Sequence, residues 1–535
     1  MPHGRYVLYD KCIIDFEHSK IYLAGQEEIG IHLRPQLSAL LHRLILEKEQ
    51  NRSLLHEELW ELMKWSSGDS NVGEKEHRVI SDLRRKLRPF NIQVPNEGEG
   101  YHLIYAPVNC ATAESLPVVP ETPKHDFYEV TKSDDYRAFT LRIFRKYYGE
   151  SFLTDMNGHT FMVYTIPGNE YSVSQNIAEL DERLCPKKHL VPNLCEDSTF
   201  DTRDHQGYTN CPYFREYYDA VGTNIHFPDR PGYMLDSIEL DQEGKVDYIT
   251  AHVGTYAENV YSSHAIEYEL YLAYLKYRDA DINDEQVWAE LYNGLTMRNH
   301  IHGEVGHPGE VGFLEKMKRS LLHGQNRHAL IGLEMLVLVR NPITHKYRVL
   351  LGERSNKVAM VQNVYEFPPA GGFEVLCDSD DGIYTEDEIV SDYSPGGAIF
   401  REYLEELFSL PEFDGTGTGS ILDRILPNPH IREIQNLFQL DKARFQFLGI
   451  SVDLLLMRQN LDFVLVIDDE EYPEGGFQVN DEYKKGRLLA DVTLENIDNM
   501  ANMWKRHHGP SAGVWYLFKQ TELYKQLASE SDITD

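Results

Sequence analysis

Cysteine is scarce in this chain, with six in 535 residues and none in a C-x-x-C pair. Such spacing shows neither a disulfide framework nor a common zinc motif, so a reducing cytosol is the expected compartment. Basic residues are outnumbered as well, 52 Lys and Arg against 86 Asp and Glu, for a formal net charge of -34. So acidic a body repels phosphate backbones and anionic lipid unless its cations are concentrated somewhere. Long apolar runs are missing. The best of them, Ala329 to Arg340, is broken by Glu334 and falls far below the about 18 residues that a membrane span needs. The N-terminus, MPHGRYVLYDKC, has no apolar signal-peptide region. These absences lead to the expectation of a soluble, cytoplasmic protein with no membrane partner. What is present is material for several cores, because 535 residues exceed one ordinary core and suggest about three or four domains. Hydrophobic residues at 41% and aromatics at 11% exclude wholesale disorder.

The cations turn out to be concentrated near the start. Residues 1–105 hold 14 basic and 16 acidic side chains, so this stretch is close to neutral while the rest carries nearly all of the negative charge. It opens with the strand-like segments RYVLYD and KCIIDF, then changes to helical spacing in Leu37, Leu40, Leu41, Leu44 and Ile45. A second amphipathic segment starts at Ser53, an N-cap candidate, and puts Leu55, Leu59 and Met63 on one face. A third, over about 72–87, buries Val79, Ile80, Leu83 and Leu87, with Lys75, Arg78, Arg84, Arg85 and Lys86 among its cations; NIQVPNEGEGYHLIY then predicts a hairpin. By itself a run such as LRRKLR is more often a solvated helix face. The wording LRPQLSALLHRLI, LLHEELWELMKW, VISDLRRKLRPFNIQV and GEGYHLIY resembles the winged helix-turn-helix effector domain of OmpR/PhoB-type transcription regulators over essentially all of residues 5–105. The resemblance implies binding of double-stranded DNA, with the third helix in the major groove and Lys75, Arg78, Arg84, Arg85 and Lys86 beside the duplex. It also makes a homodimer an expectation, because winged regulators often pair, although no residue here fixes a dimer surface. That family usually places this module after a phosphorylated receiver domain. Here it comes first, and its input must come from elsewhere in the chain.

Residues 106–124 hold four prolines and no periodicity and are expected to form a semi-extended linker. Residues 125–325 mix strand and helix signals, with KVDYITAHVGTYAENV strand-like and AIEYELYLAYLKY an amphipathic helix, and are expected to form a middle domain of unrecognised type. His300, His302 and His307 have compact ligand-like spacing, but an ordinary glycine-containing surface loop is the stronger reading. Cys185, His189, Cys195 and Cys211 match no standard finger, and buried free thiols are expected.

The strongest chemical signal lies in residues 326–535. ALIGLEMLVLVRN and KYRVLLGERS predict strands, VYEFPPAGGFEV a glycine loop, and GGAIFREYLEELFSL a helix from about Ala398. On that helix Phe400, Tyr403, Leu404 and Leu407 form an apolar stripe, while Glu402, Glu405 and Glu406 share the opposite face. Three carboxylates at that spacing repel one another unless solvated or neutralised, and hard oxygen ligands suit Mg2+ or Mn2+. A solvated acidic helix is the bland alternative. The order of strand, strand, Pro-Gly-Gly-like loop and REYLEEL resembles the Nudix fold. That resemblance implies hydrolysis of a nucleoside diphosphate linked to another group, with Glu402, Glu405 and Glu406 as metal ligands and catalytic residues and Arg401 as their salt-bridge partner. Gly371 and Gly372 match the loop glycines and, with Arg354, are the expected ligand-binding residues. The sequence departs from the family pattern in three places. A 24-residue interval separates Gly372 from Gly397, the upstream glutamate position falls near Tyr393, and Phe408 stands where a glycine usually ends the helix. ARFQFLGISVDLLL and DFVLVID predict two further strands, 411–440 a second insertion containing the helical PHIREIQNLFQL, and LENIDNMANMWKRHHG a closing helix.

The expected fold class is therefore multidomain α+β: an N-terminal winged helix, a mixed α/β middle region and a C-terminal Nudix-like α/β sandwich. The expected function is a DNA-binding transcriptional regulator that senses, and in a second reading hydrolyses, a nucleotide-type small molecule. A metal-dependent hydrolase with the winged helix as docking module, and a non-catalytic assembly scaffold, are the alternatives.

Overall fold

The computed structural model describes residues 5–9, 12–15, 20–23, 31–32, 35–49, 54–63, 79–80, 83, 92–94, 96–97, 100–101 and 104–105 of the N-terminal part. Beyond these it describes 127–169, 172–173, 177–195, 198–202, 217, 230–303, 305–306, 309–355, 364–376, 382–411, 420–473 and 476–533. The protein is a mixed α+β chain that divides into two compact units, Met1–Thr122 and Pro123–Asp535. Among the described residues no helix is long and apolar enough to cross a membrane.

In the first unit, strands Arg5–Tyr9, Cys12–Asp15, Lys20–Leu23 and Ile31–His32 form a four-stranded antiparallel sheet. Helix Pro35–Glu49 follows, begun by a proline whose missing N–H costs nothing in a first turn. Its expected stripe, Leu37, Leu40, Leu41, Leu44 and Ile45, is buried together with Leu59, Met63, Ile80 and Leu83. Leu55 differs from expectation. It lies in the two-residue strand Leu54–Leu55, where side chains alternate between faces, and is 41% exposed, while Leu54 is buried and helix His56–Met63 starts only afterwards. Leu54 pairs with Tyr101, and Ile92–Gln93 pairs with Ile104–Tyr105 in the expected hairpin region. Lys75, Arg78, Arg84, Arg85, Lys86 and the linker 106–124 lie outside the described residues.

The second unit is built on a seven-stranded sheet in which strand Gly332–Arg340 is an interior strand, next to the central strand Arg458–Ile467. The run GLEMLVLV is buried on both faces, as an interior strand covered by helices on either side must be. It pairs in parallel with Arg458–Ile467 and antiparallel with Tyr347–Val349 and Ala370–Gly372. Arg458–Ile467 pairs in turn with Ala443–Asp453. One face, with Leu336, Leu338, Val464 and Val466, packs against Ala512, Trp515 and Phe518 of helix Gly509–Gln520. The other, with Leu333, Met335, Phe463 and Leu465, packs against Phe400, Tyr403, Leu404 and Leu407 of helix Pro395–Phe408. The closing helix is thus later than LENIDNMANMWKRHHG predicts. That stretch forms a tight turn at Ile497–Asn499 and the short helix Ala501–Trp504, pinned by the Trp504 indole N–H donating to the Ile497 carbonyl at 2.7 Å.

The expected boundary between a middle domain 125–325 and a separate domain 326–535 falls inside this unit. Strand Val163–Pro167 pairs with Ala443–Asp453, and Thr199–Asp201 pairs with Ile383–Thr385. Single bridges tie the hairpin of Pro231–Leu240 and Val246–Thr255 to Glu374 and Leu330. Strand hydrogen bonds join segments hundreds of residues apart, which composition and local periodicity do not register.

Arg298, at 0% exposure, is a fully buried polar tie between these halves. It sits on helix Thr296–His302 and donates to the Tyr148 hydroxyl at 2.7 Å and to the carbonyls of Leu454 and Leu455 at 2.5 and 2.9 Å, with its guanidinium 4.9 Å from the Phe144 ring centre. Glu269 accepts from the backbone N–H groups of Met297 and Arg298. His302 hydrogen-bonds Tyr148 at 3.0 Å and Ser320 at 2.8 Å. The expected surface-loop reading of the histidine cluster therefore holds only in part: His302 is buried in this network, His300 is exposed, and His307 lies outside the described residues. Cys185 is a buried free thiol and Cys195 a half-buried one; Cys211 lies outside the described residues.

Candidate functional site

Helix Pro395–Phe408 carries the site. Ser394 caps it by accepting from the Gly397 N–H, and proline occupies its first turn. Asp181, from helix Ile177–Leu184, accepts from the Gly396 N–H at 2.8 Å and takes the Ser394 hydroxyl as a second donor. At the other end the chain turns at Ser409, in left-handed conformation with φ 50°, so the turn lies one residue beyond Phe408. Phe408 stacks on His430 at 3.7 Å. Tyr393, at the position where the family pattern has a glutamate, is buried and stacks on Phe373.

Asp181 is wholly buried, and burial pushes its carboxyl up to about 7 against the donors from Ser394 and Gly396 that favour its charged form. The folded pKa is above the unfolded one. Its contribution to stability is therefore full below the unfolded value and is lost as pH rises through the folded value. Compared with Asp181→Asn, the wild type is expected to lose about 2–3 kcal/mol between about pH 5 and about pH 8. Urea midpoints of both proteins across that range measure the difference, and parallel curves would remove Asp181 as the cause.

Glu405 and Glu406 are 8% and 1% exposed, and the Glu402 side chain is 12% exposed, so the solvated acidic helix is not what forms. Arg401, itself buried, hydrogen-bonds Glu402 and stands 3.9 Å from Glu405. Glu406 accepts from the Tyr483 hydroxyl at 2.9 Å and from the Ala370 N–H at 3.3 Å. Burial raises the Glu402 carboxyl well above the usual range; Arg401 opposes this, and Glu405, Glu482 and Glu374 add to it. Burial raises Glu406 in the same way, with Glu482, Glu402 and Glu366 adding to it. Both carboxyls therefore favour their neutral forms unless positive charge is brought to them.

The glycine strand Ala370–Gly372 lies against this helix. A side-chain carbon on Gly371 would stand 2.1 Å from the Glu402 Oε1, so any larger residue there would push the Glu402 side chain aside. Beside it a cavity of about 210 Å³ is lined by Gly371, Gly372, Arg354, Glu366 and Glu374. Arg354 is paired with Glu366 at 2.5 Å, both nearly buried. The sequence-derived residues of residues 326–535 are thus brought together: Arg401, Glu402, Glu405 and Glu406 on the helix, Gly371 against Glu402, and Gly372 and Arg354 on the cavity wall.

The donor set suits a hard divalent cation, since buried carboxylates that raise one another are relieved by positive charge. Among the described residues, however, no group of three His, Cys, Asp or Glu side chains is arranged to hold a metal ion. Glu402 is turned to Arg401, and Glu406 to Tyr483 and Ala370. A cation at Glu402 and Glu405 would share them with Arg401.

The cavity is also lined by residues that no motif in the sequence marks, among them Tyr256, His264, Asp453, Arg458, Asn460 and His508. Tyr256 and His264 come from residues 125–325, where no motif marks them. Arg458 and Asn460 are two apart on one strand, a spacing that shares a face but names no chemistry. His508 precedes helix Gly509–Gln520, 3.6 Å from Glu366; burial holds its imidazole down to about 4. Compared with known proteins, the chain matches no protein-family model and no curated protein.

Proposed function

We propose that the protein is a transcription regulator in which an N-terminal winged helix binds double-stranded DNA and a Nudix-like domain senses a nucleotide-type ligand. The observation that carries the reading is the cavity bordered by Gly371 and Gly372, with Gly371 in contact with Glu402 of a helix bearing three carboxylates. Mg2+ or Mn2+ at Glu402 and Glu405 would supply the positive charge that lets such a wall accept a diphosphate. The remaining work falls to the chain itself. Arg401 orients two glutamates, Tyr483 and the Ala370 N–H fix the third, and the glycine strand lets a ligand approach the backbone. In the first unit, the succession of antiparallel sheet, two helices and closing strand pairs around one core supports the winged-helix reading.

Sensing is favoured over hydrolysis because Tyr483 and the Ala370 N–H hold Glu406, which leaves Glu402 and Glu405, shared with Arg401, for a ligand-bridging cation and withdraws the third carboxylate from a catalytic set. Ligand control of DNA binding requires a ligand that prefers one arrangement of the chain. Fluorescence anisotropy with DNA from upstream of the protein's own gene tests this, with and without Mg2+ and ADP-ribose. Sequence-preferring binding whose affinity shifts about fivefold or more with ligand is expected. Binding with no sequence preference at physiological salt would sink the regulator reading.

A second reading, a metal-dependent hydrolase, rests on the presence of all three carboxylates on one helix. Release of product from nucleoside diphosphate derivatives with Mg2+ or Mn2+, absent in Glu405→Gln, would favour it.

A further inference from the structure

The cavity has an end that the carboxylate helix does not explain. Arg458 opens strand Arg458–Ile467 and gives its Nε hydrogen to the Leu330 carbonyl at 3.2 Å. Its guanidinium makes no ion pair among the described residues. Tyr256, Asp453 and Glu374, which line the same cavity, act on its charge, and Asp453 already accepts from the Leu455 N–H at 2.8 Å. The cavity's other cation, Arg354, is committed to Glu366.

His264 lies beside Arg458 on the cavity wall and is 2% exposed, with neither ring nitrogen hydrogen-bonded. Burial and the Arg458 charge hold its imidazole down to about 3, so it is neutral, with one N–H donor and one acceptor. Buried polar atoms are rarely left without partners unless something else binds them. The backbone here is special too. Thr255 and Glu258 form a capping box that starts the short helix Tyr256–Asn259, which runs into a wide π-turn at Val260–His264. Such turns recur at functional sites. Asn460 completes the wall. It stands opposite Gly332, where a side-chain carbon would meet its Oδ1 at 1.9 Å, so the glycine keeps room for the amide.

We propose that this end of the cavity is an oxyanion-binding site in which Arg458 supplies the charge and His264 and Asn460 direct hydrogen bonds to a phosphate or carboxylate group of the ligand. The inference rests on the ligand-sensing reading and deepens it, because it names an anionic group of the ligand that is recognised without a metal. It also gives residues 125–325 a role, since His264 belongs to them.

The test is calorimetric titration of the full-length protein, free of DNA and divalent cations, with inorganic phosphate and separately with acetate at constant ionic strength. Saturable binding of one or both anions is expected, the stronger of the two identifying the source. Arg458→Met is expected to weaken it about tenfold to a hundredfold, and exposed Lys442→Met to leave it unchanged. Should Arg458→Met fail to fold, His264→Phe, which keeps the ring without its nitrogens, carries the test with a loss of about tenfold. Absence of saturable binding, or wild-type affinity in the folded variants, would overturn the site. Because the titration contains neither DNA nor Mg2+, its failure beside intact ligand-controlled DNA binding overturns the oxyanion site alone. Loss of ligand control with anion binding intact overturns the regulator reading alone.

Discussion

Arg298→Met is expected to destabilise the second unit by about 3–5 kcal/mol, the usual cost of breaking a buried charged network on one side only. Methionine fills much of the arginine's volume, so packing is largely kept while the hydrogen bonds are lost. The Leu454 and Leu455 carbonyls and the Tyr148 hydroxyl lose their donor. Glu269 and Glu267 lose the positive charge that opposes their burial, which pushes their carboxyls up to about 7 and about 8. Urea unfolding followed by the fluorescence of buried Trp504 and Trp515 measures the change in the sheet-bearing unit. A midpoint within error of the wild type would show that the network carries no net stability, an outcome known for some buried ion pairs.

Glu402→Gln is expected to weaken Mg2+-supported binding of ADP-ribose by about a hundredfold, because a neutral amide cannot replace a carboxylate ligand of a hard cation. The same change mimics the neutral form that burial already favours for Glu402, and Gly371 still has room beside a side chain of equal size. Binding and stability are therefore expected to part company, affinity falling while the unfolding midpoint stays or rises. Titration with Mg2+ and with EDTA separates the metal-dependent share. If the variant binds as tightly as wild type in Mg2+, Glu402 is not a metal ligand.

The sequence was most legible where periodicity and burial agree. The stripe of Leu37 to Ile45, the strands around Leu336 and Val464, and the faces of the glutamate helix all follow from local spacing. It was least legible where partners are remote. Nothing local in VYTIP says that Val163–Pro167 finishes the sheet to which Gly332–Arg340 belongs, so local signals favour a boundary near residue 325. The site shows the same division. Glu402, Glu405 and Glu406 declare themselves by i, i+3, i+4 spacing, whereas His264 and Arg458 meet only after the chain has folded, and each looks ordinary in its own segment. Phe408 and Tyr393, where the resemblance leads one to expect a glycine and a glutamate, are accommodated by a turn at Ser409 and by an aromatic stack.

Interleaving strands from both ends of the second unit has a consequence for how the protein is made. Arg137 donates to the carbonyl of Lys505, 368 positions later, and Arg298 waits for carbonyls 156 positions further on. On the ribosome, at about 5–20 residues per second, the earlier segments emerge tens of seconds before the strands that cover them. Their apolar edges, Val163–Pro167 among them, are without their partners for that interval. The nascent chain is therefore a natural client for holding chaperones, and a message truncated before Ala443–Asp453 would yield aggregates in place of a smaller folded protein.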